Sequence, residues 1–276
     1  MQTFVNTIKK KLSPKTLHDV HGVLHHIMED ALDAEMISKN PCRNIMLPKI
    51  EDPDLVLPSI AGVTNLLKAV QTNRFANMFE ADLLTGLRQG ELLGLTWSQI
   101  QLERGMIHVD RQLTYDRSDS SKRYIKLPKY EKIRDVPITP AFLNVLERQK
   151  IVVKDLREAA GDKWIERDLV FPNLNGDWLP RQTVYCNFVK LVMQAGLEGM
   201  RFHDMRHVFA MLSITGGVDV STVQNALGHA TPEFTLKVYA YVNDDTNRAA
   251  AKKMQGAFEI LFPTSVNSSE HTSEAI

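Results

Sequence analysis

The sequence predicts a mainly α-helical protein of the α+β class that contains one small, three-stranded antiparallel sheet. Three observations lead to this fold class. Apolar residues recur at helical spacing over 13–36, and again in segments near 60–71 and 75–85. Three short β-prone segments then follow one another between positions 106 and 138, each bounded by polar turns. From Pro140 onward the helical pattern returns.

The first helix is predicted to begin at Ser13-Pro14, with serine as the cap and proline at the first helical position. Its apolar positions continue to about Met36, and Asn40-Pro41 prevents any extension. The segment 47–59 follows, with three prolines and little periodicity. We interpret it as an interdomain linker.

Beyond the linker, Gly86 is expected to end one helix and Arg88 to open the next. The three strands of the predicted sheet are 106–113, 123–127 and 132–138. The end of the chain, residues 263–276, is polar and is predicted to be disordered.

Composition narrows the functional classes. The chain has 276 residues, enough for one large domain or two ordinary ones. Its 33 Lys+Arg balance 33 Asp+Glu, so only a local basic patch can support nucleic-acid binding. Two isolated cysteines exclude a disulfide framework and a cysteine-rich zinc site. No apolar run approaches the ~20 residues of a membrane span. These features predict a cytoplasmic protein without membrane attachment.

Two segments place cations where they can meet a phosphate. In TGLRQGELLGL (85–95), Arg88 lies at a helix junction and can present a planar, permanently charged fork. In LPKYEKIRDVPIT (127–139), Lys129 lies between two predicted strands, with Lys126, Lys132 and Arg134 nearby. Taken singly, the first segment is better explained by a surface arginine and the second by a solvated basic hairpin.

Two later segments add titratable groups. In RFHDMRHVFAMLSITGG (201–217), His203 and Arg206 are three residues apart and share a helix face. His203 and His207 have a zinc-like spacing, but Arg206 between them disfavours a metal ion and no glutamate completes the motif. In LGHATPEFTLKVYAYV (227–242), a helix ends at Gly228, His229 follows, and a new helix carries Tyr239.

In this order the four segments resemble the conserved boxes of the tyrosine recombinase (phage integrase) family. The resemblance extends from about Ser13 to Val242, and residues 13–42 resemble the second half of that family's helical core-binding domain. It implies an enzyme that cuts and rejoins DNA through a 3′-phosphotyrosyl intermediate, to integrate or excise a phage or another mobile element. The expected organisation is a partial core-binding segment (1–48), a linker (49–59), a catalytic domain (60–262) and the tail (263–276).

The resemblance also implies a role for individual residues. Arg88 and Arg206 correspond to the two phosphate-binding arginines, and Lys129 to the lysine of the hairpin. His203 corresponds to the histidine of the His-x-x-Arg box, and His229 to a position that is His or Trp in the family. Tyr239 corresponds to the nucleophile, although Tyr241 lies two residues further on.

Further residues are expected to support this site. Glu91 and Asp204 would be carboxylates that orient the arginines and the histidine. Four basic residues are expected to contact DNA, namely Lys15, Lys126, Lys132 and Arg134. His18, His21 and His25 share a helix face, which we interpret as polar rather than as a metal site.

No metal ion or other cofactor is expected, because the side chains supply the cations. The implied partner is double-stranded DNA, bound by a homotetramer at the nucleoid with accessory DNA-bending or excision factors. Residues 243–262 would form a helix that packs either on a neighbouring subunit or on its own domain.

Three alternatives remain open. Only about a dozen residues precede the segment that resembles the core-binding domain. The chain would then be a truncated, DNA-binding fragment that cannot recombine. A Xer-type resolvase and a type IB topoisomerase use related chemistry and are the other two alternatives.

Overall fold

The computed structural model describes residues 1–50, 57–116, 118–119, 122–228 and 233–244. The chain divides into two units, Met1–Asp54 and Leu55–Ile276. None of the helices in the described ranges is long and apolar enough to cross a membrane.

The first unit contains helices α1 (Gln2–Ile8) and α2 (Pro14–Asp33). The predicted start of α2 is confirmed, because the Ser13 hydroxyl accepts a hydrogen bond from the backbone N–H of Thr16 at 3.2 Å. The helix ends about one turn before the expected Met36.

Two α2 histidines tie the following segment to this helix. The Nε2 atoms of His18 and His21 hydrogen-bond to the backbone carbonyls of Pro48 (2.9 Å) and Cys42 (3.0 Å). Lys15 is exposed on the same helix.

The second unit is built from eight helices and five short strands within the described residues. The helices are α3 (Ile60–Val70), α4 (Ala76–Thr85), α5 (Gln89–Leu93), α6 (Pro140–Ala160), α7 (Arg181–Gln194), α8 (Asp204–Thr215), α9 (Val220–Leu227) and α10 (Glu233–Asp244). An aromatic cluster lies in the core, where the ring centroids of Phe188 and Phe202 are 5.3 Å apart and Phe79 contacts both rings. The mainly helical fold class is therefore confirmed.

The strands are β1 (Ile100–Gln101), β2 (Met106–Val109), β3 (Gln112–Tyr115), β4 (Arg123–Lys126) and β5 (Arg134–Pro137). One antiparallel sheet has the order β1-β2-β5, and β3 pairs with β4 in a separate hairpin. The three-stranded sheet was predicted, but its strand assignment was wrong: 106–113 is two strands, and 123–127 pairs outside the sheet. The break falls at Asp110, which accepts hydrogen bonds from the side chains of Arg111 and Gln99 (both 2.8 Å).

The hairpin lies directly against α5. A Cβ atom on Gly90 would come within 2.7 Å of the Leu113 carbonyl oxygen, and one on Gly94 within 2.9 Å of the Leu113 nitrogen. The two glycines one helical turn apart therefore let the backbone of β3 approach the helix that follows Arg88.

Gly86 links α4 to Arg88, and its replacement tests this junction. Its φ is +59°, and a Cβ atom would lie 2.5 Å from Phe209 Cδ1. We expect Gly86→Ala to lower the free energy of unfolding by about 3 kcal/mol, from left-handed backbone strain plus overpacking. Denaturant titration measures this loss.

Gly105→Ala is the matched control for that substitution. Gly105 has φ +63°, but a Cβ atom there would meet no atom of the described residues within 4 Å. Only the backbone cost of about 1 kcal/mol should therefore appear. Equal losses for the two variants would show that the contact with Phe209 does not matter.

Several predictions fall on residues outside the described ranges. These are the centre of the linker (51–56), most of the predicted helix 243–262 and the whole of 263–276. The helix carrying Tyr239 is described as far as Asp244.

Candidate active site

Four of the six predicted catalytic residues line one cleft of about 690 Å³ in the second unit. They are Arg88, Lys129, His203 and Arg206, and they come from three separate segments of the chain, since His203 and Arg206 belong to the same one. The cleft wall also includes strand β3 and the side chains of Arg181, Tyr185 and Arg201.

Arg88 is placed by the junction between α4 and α5. Gly86 ends α4 in the left-handed conformation, and Arg88 is the N-cap of α5, as predicted. Its guanidinium donates to Glu91 Oε1 at 2.9 Å and to the carbonyl oxygen of Gly228 at 2.8 Å. The Arg88 side chain lines the cleft and is 17% exposed, so these two hydrogen bonds fix its position while part of it stays open to a ligand.

Arg206 is almost completely buried in α8, with 1% of its surface exposed. Its two terminal nitrogens donate to the backbone carbonyls of Gly86 and Leu227, and its Nε has no hydrogen-bond partner among the described residues. Burial, with the charges of Arg88 and Arg134, lowers the pKa of Arg206 to about 9. The group is still a cation at neutral pH.

Glu91 is a buried carboxylate that lies between Arg88 and Arg134. It is 2% exposed and accepts hydrogen bonds from Arg88 and, through both oxygens, from Arg134. Burial alone would raise the pKa of Glu91, but the hydrogen bonds and charge of Arg134 and the charge of Arg88 lower it to about 2. Glu91 is therefore an ionised counter-charge to both guanidiniums.

Arg134 does not lie where the sequence placed it, and its predicted contact with DNA is corrected. The residue is 8% exposed and points inward, because Arg134 and Val136 alternate with Asp135 along β5. The other three predicted DNA contacts differ: Lys15 and Lys126 are exposed, and Lys132 is half-buried.

Asp204 makes different contacts from those expected. Its carboxylate accepts from the Arg201 guanidinium at 2.9 Å and from the Arg201 backbone N–H at 2.8 Å. It also lies 3.6 Å from His207. Burial lowers the pKa of His203, and the charge of Asp204 opposes that shift without reversing it.

The two histidines of the box lie at the start of α8. Their rings make an edge-to-face contact with centroids 5.0 Å apart. Burial and the charge of Arg206 lower the pKa of His203, and burial lowers that of His207 to about 4. His203 is thus neutral at physiological pH and able to accept a proton. No group of three or more metal-binding side chains occurs in the described ranges.

Asp82 is a residue that the sequence reasoning missed. It is 1% exposed in α4, and neither carboxylate oxygen has a hydrogen-bond partner in the described part of the chain. Burial raises the pKa of Asp82 well above its usual value, against the charge of Arg206, which lowers it. The sequence signal that could have identified Asp82 is the presence of an aspartate within the apolar run just before Gly86.

Lys129 belongs to a short 3₁₀ turn (Lys129–Glu131) between β4 and β5, and it is exposed where it reaches the cleft. Tyr239 lies on α10 and is 45% exposed, but it is not among the described residues that line the cleft. Thr235 and Val238 of α10 are buried, and this helix packs against α8 and α9. His229 lies outside the described residues.

The charges of the cleft favour an anion. Arg88, Arg181, Arg201, Arg206 and Lys129 line it, and the ionised Glu91 behind them is already shared between two arginines. Guanidinium groups that converge in a partly buried cleft suit the bidentate binding of a phosphate.

Comparison with known families and proteins agrees with this chemistry. Residues 61–246 match the phage integrase family. A tyrosine recombinase XerC-like protein of Caldanaerobacter subterraneus subsp. tengcongensis is 27% identical over 263 residues, which cover 89% of this chain and 67% of that protein. Tyrosine recombinase XerD of Pseudomonas aeruginosa is 30% identical, with 85% of this chain and 72% of the relative covered. The chain spans about two thirds of the length of these relatives.

Solved structures share the fold. The Tn1549 transposon integrase in complex with a circular intermediate DNA superposes with a TM-score of 0.74 at 24% identity, covering 91% of this chain and 83% of that one. The XerH site-specific recombinase bound to its difH substrate gives a TM-score of 0.64 at 23% identity, with 90% and 68% covered.

Proposed function

The chain belongs to the phage integrase family, and from this premise we propose that it is a site-specific recombinase that cuts and rejoins double-stranded DNA. The observation that carries the proposal is the cleft in which Arg88, Arg206, Lys129 and His203 converge. A phosphodiester is the anion that such a set of cations and a neutral histidine can both bind and activate.

The reaction conserves the number of phosphoester bonds. The Tyr239 oxygen attacks the scissile phosphorus, the bond from phosphorus to the 5′ oxygen breaks, and the 3′ end remains on the tyrosine. Rejoining reverses these steps with a 5′ hydroxyl of the partner strand, so the energy of the bond is retained and no external energy source is required.

Each side chain has a part in this scheme. Arg88 and Arg206 neutralise the charge that develops on the non-bridging oxygens. His203, neutral because burial lowers its pKa, accepts the tyrosine proton, and Lys129 donates a proton to the leaving 5′ oxygen. His229 hydrogen-bonds a phosphate oxygen. Tyr239, which is 45% exposed on α10, brings its hydroxyl to the scissile phosphate when DNA binds.

The proposal also covers the first unit of the chain and the oligomer that acts on DNA. Residues 1–48 serve as part of a core-binding domain whose exposed Lys15 contacts the DNA backbone, joined by 49–59 to the catalytic domain 60–262. Lys126, at the end of β4, and Lys132, between β4 and β5, also contact DNA. Four chains act together on two DNA sites at the nucleoid, assisted by DNA-bending or excision factors, and the product is an integrated or excised mobile element.

A nicked suicide substrate tests the proposal, with candidate sites taken from the DNA that flanks the gene. Wild type is expected to form a covalent protein–DNA adduct that survives denaturing electrophoresis. Binding without an adduct on every such site would support a DNA-binding fragment instead. Relaxation of supercoiled plasmids regardless of their sequence would support a type IB topoisomerase.

A further inference from the structure

Three guanidinium groups donate to three consecutive backbone carbonyls at the end of α9. Arg134 Nε donates to Ala226 at 2.7 Å, Arg206 donates to Leu227, and Arg88 donates to Gly228 at 2.8 Å. The last carbonyls of a helix lack partners within it and carry partial negative charge, so cations stabilise them. The arginines of the cleft are thus tied to the turn from which the chain continues to α10.

Arg134 is the member of this set that connects the other parts. Its Nε holds Ala226, while its two terminal nitrogens donate to Glu91 Oε1 (2.9 Å) and Oε2 (2.7 Å). Glu91 in turn holds Arg88. The side chains of Arg134 and Glu91 are 5% and 1% exposed, so this pair is shielded from solvent and all three guanidinium nitrogens are engaged within the protein.

Gly228 provides an independent observation that the turn is fitted to Arg134. Its φ is +63°, and a Cβ atom there would lie 2.8 Å from Arg134 Cδ and 3.1 Å from Arg134 Nε. The backbone of the turn therefore closes directly on the stem of this arginine, which leaves no space for a larger residue.

We propose that Arg134 is a positioning residue for strand cleavage. It orients Arg88 through Glu91, and it fixes the end of α9 from which the chain leads to the helix of the nucleophile. This inference rests on the proposed function, because its effect on rate exists only if the chain cleaves DNA. It assigns Arg134 no contact with the phosphate.

The pH profile separates this role from simple loss of stability. The ionisation of Glu91 is coupled to four nearby ionisable groups, which are Arg88, Arg134, Arg206 and Asp82. With Arg134 present, the pKa of Glu91 is held at about 2, so the carboxylate stays ionised throughout the assay range. Without Arg134, burial raises that pKa, and lowering the pH protonates Glu91 and releases Arg88.

The experiment measures adduct formation at saturating DNA, and DNA affinity separately, over acidic to neutral pH. We expect Arg134→Met to lower the cleavage rate about 100-fold through misplacement of Arg88, with little change in affinity and a new loss of rate on the acid side. Arg134→Lys keeps the charge but not the fork, so it should restore the wild-type pH profile without the full rate. Arg148→Met, which removes an ion pair with Glu80 outside the cleft, is the control and should cleave like wild type.

Hydrogen exchange supplies a readout that does not need cleavage. The Gly228 amide donates to the carbonyls of Gln224 and Asn225, and we expect it to exchange faster in both Arg134 variants. If the wild type forms no adduct, the proposed function is refuted. If the exchange rate at Gly228 is unchanged in the variants, Arg134 does not fix the end of α9. Folded Arg134 variants with wild-type rates and pH profiles would overturn the positioning role.

Discussion

Replacing Tyr239 by phenylalanine is expected to abolish the covalent protein–DNA adduct completely, whereas Tyr241→Phe should retain it. The substitution removes the attacking oxygen and nothing else from the ring. Because Tyr239 is 45% exposed on α10, the loss of its hydroxyl should leave the helix and its packing unchanged. Trapping on the suicide substrate, followed by denaturing electrophoresis, measures the result.

Tyr241→Phe is the matched control, since both tyrosines lie on the same helix. Positions two residues apart lie about 200° apart around the axis of an α-helix, so a nucleophile at position 239 predicts no adduct through position 241. An adduct that persists in Tyr239→Phe and disappears in Tyr241→Phe would move the nucleophile to Tyr241. Full DNA binding by both variants should accompany either result.

The second large effect is expected at Arg206. Arg206→Lys should slow adduct formation by about 10²–10³-fold, because a lysine supplies charge without the planar fork that holds developing phosphate charge. Because the lysine keeps the positive charge, the salt dependence of DNA binding should stay close to that of wild type. Single-turnover cleavage and a salt titration of DNA affinity measure the two effects.

Stability must be measured beside the rate, because Arg206 is buried and its loss leaves the carbonyls of Gly86 and Leu227 without their donor. Arg88→Lys provides the comparison, since Arg88 is 17% exposed and replacing it should disturb the fold less. If folded Arg206→Lys cleaves at the wild-type rate, Arg206 is not part of the phosphate clamp.

The sequence was sufficient wherever structure depends on near neighbours. Ser13 before Pro14 predicted the start of α2, and Gly86 before Arg88 predicted a helix end followed by a helix start. Gly228 predicted the end of α9 in the same way. Caps and left-handed glycines act over three or four residues, so the chain shows them directly.

The strand pairing could not be predicted correctly from the sequence, because it depends on partner strands that are distant along the chain. The segment 106–113 contains Asp110, a residue type depleted in strands, and it splits there, where Gln99 and Arg111 donate hydrogen bonds to the carboxylate. β3 then pairs with β4 and packs on the glycines of α5. Asp110 marks the break locally, but the residues of 106–113 do not show that β2 pairs with β5 and β3 with β4.

By itself, the sequence determined the order and spacing of the motifs, and with them the family and the predicted roles of Arg88, Lys129, His203, Arg206 and Tyr239. Only the tertiary structure decided which cations face the cleft and which support it. Arg134 resembles its basic neighbours in the sequence, yet the register of β5 turns it inward to Glu91, 43 residues away in the chain. Side-chain direction and burial depend on long-range packing, which a local pattern of residue types does not contain.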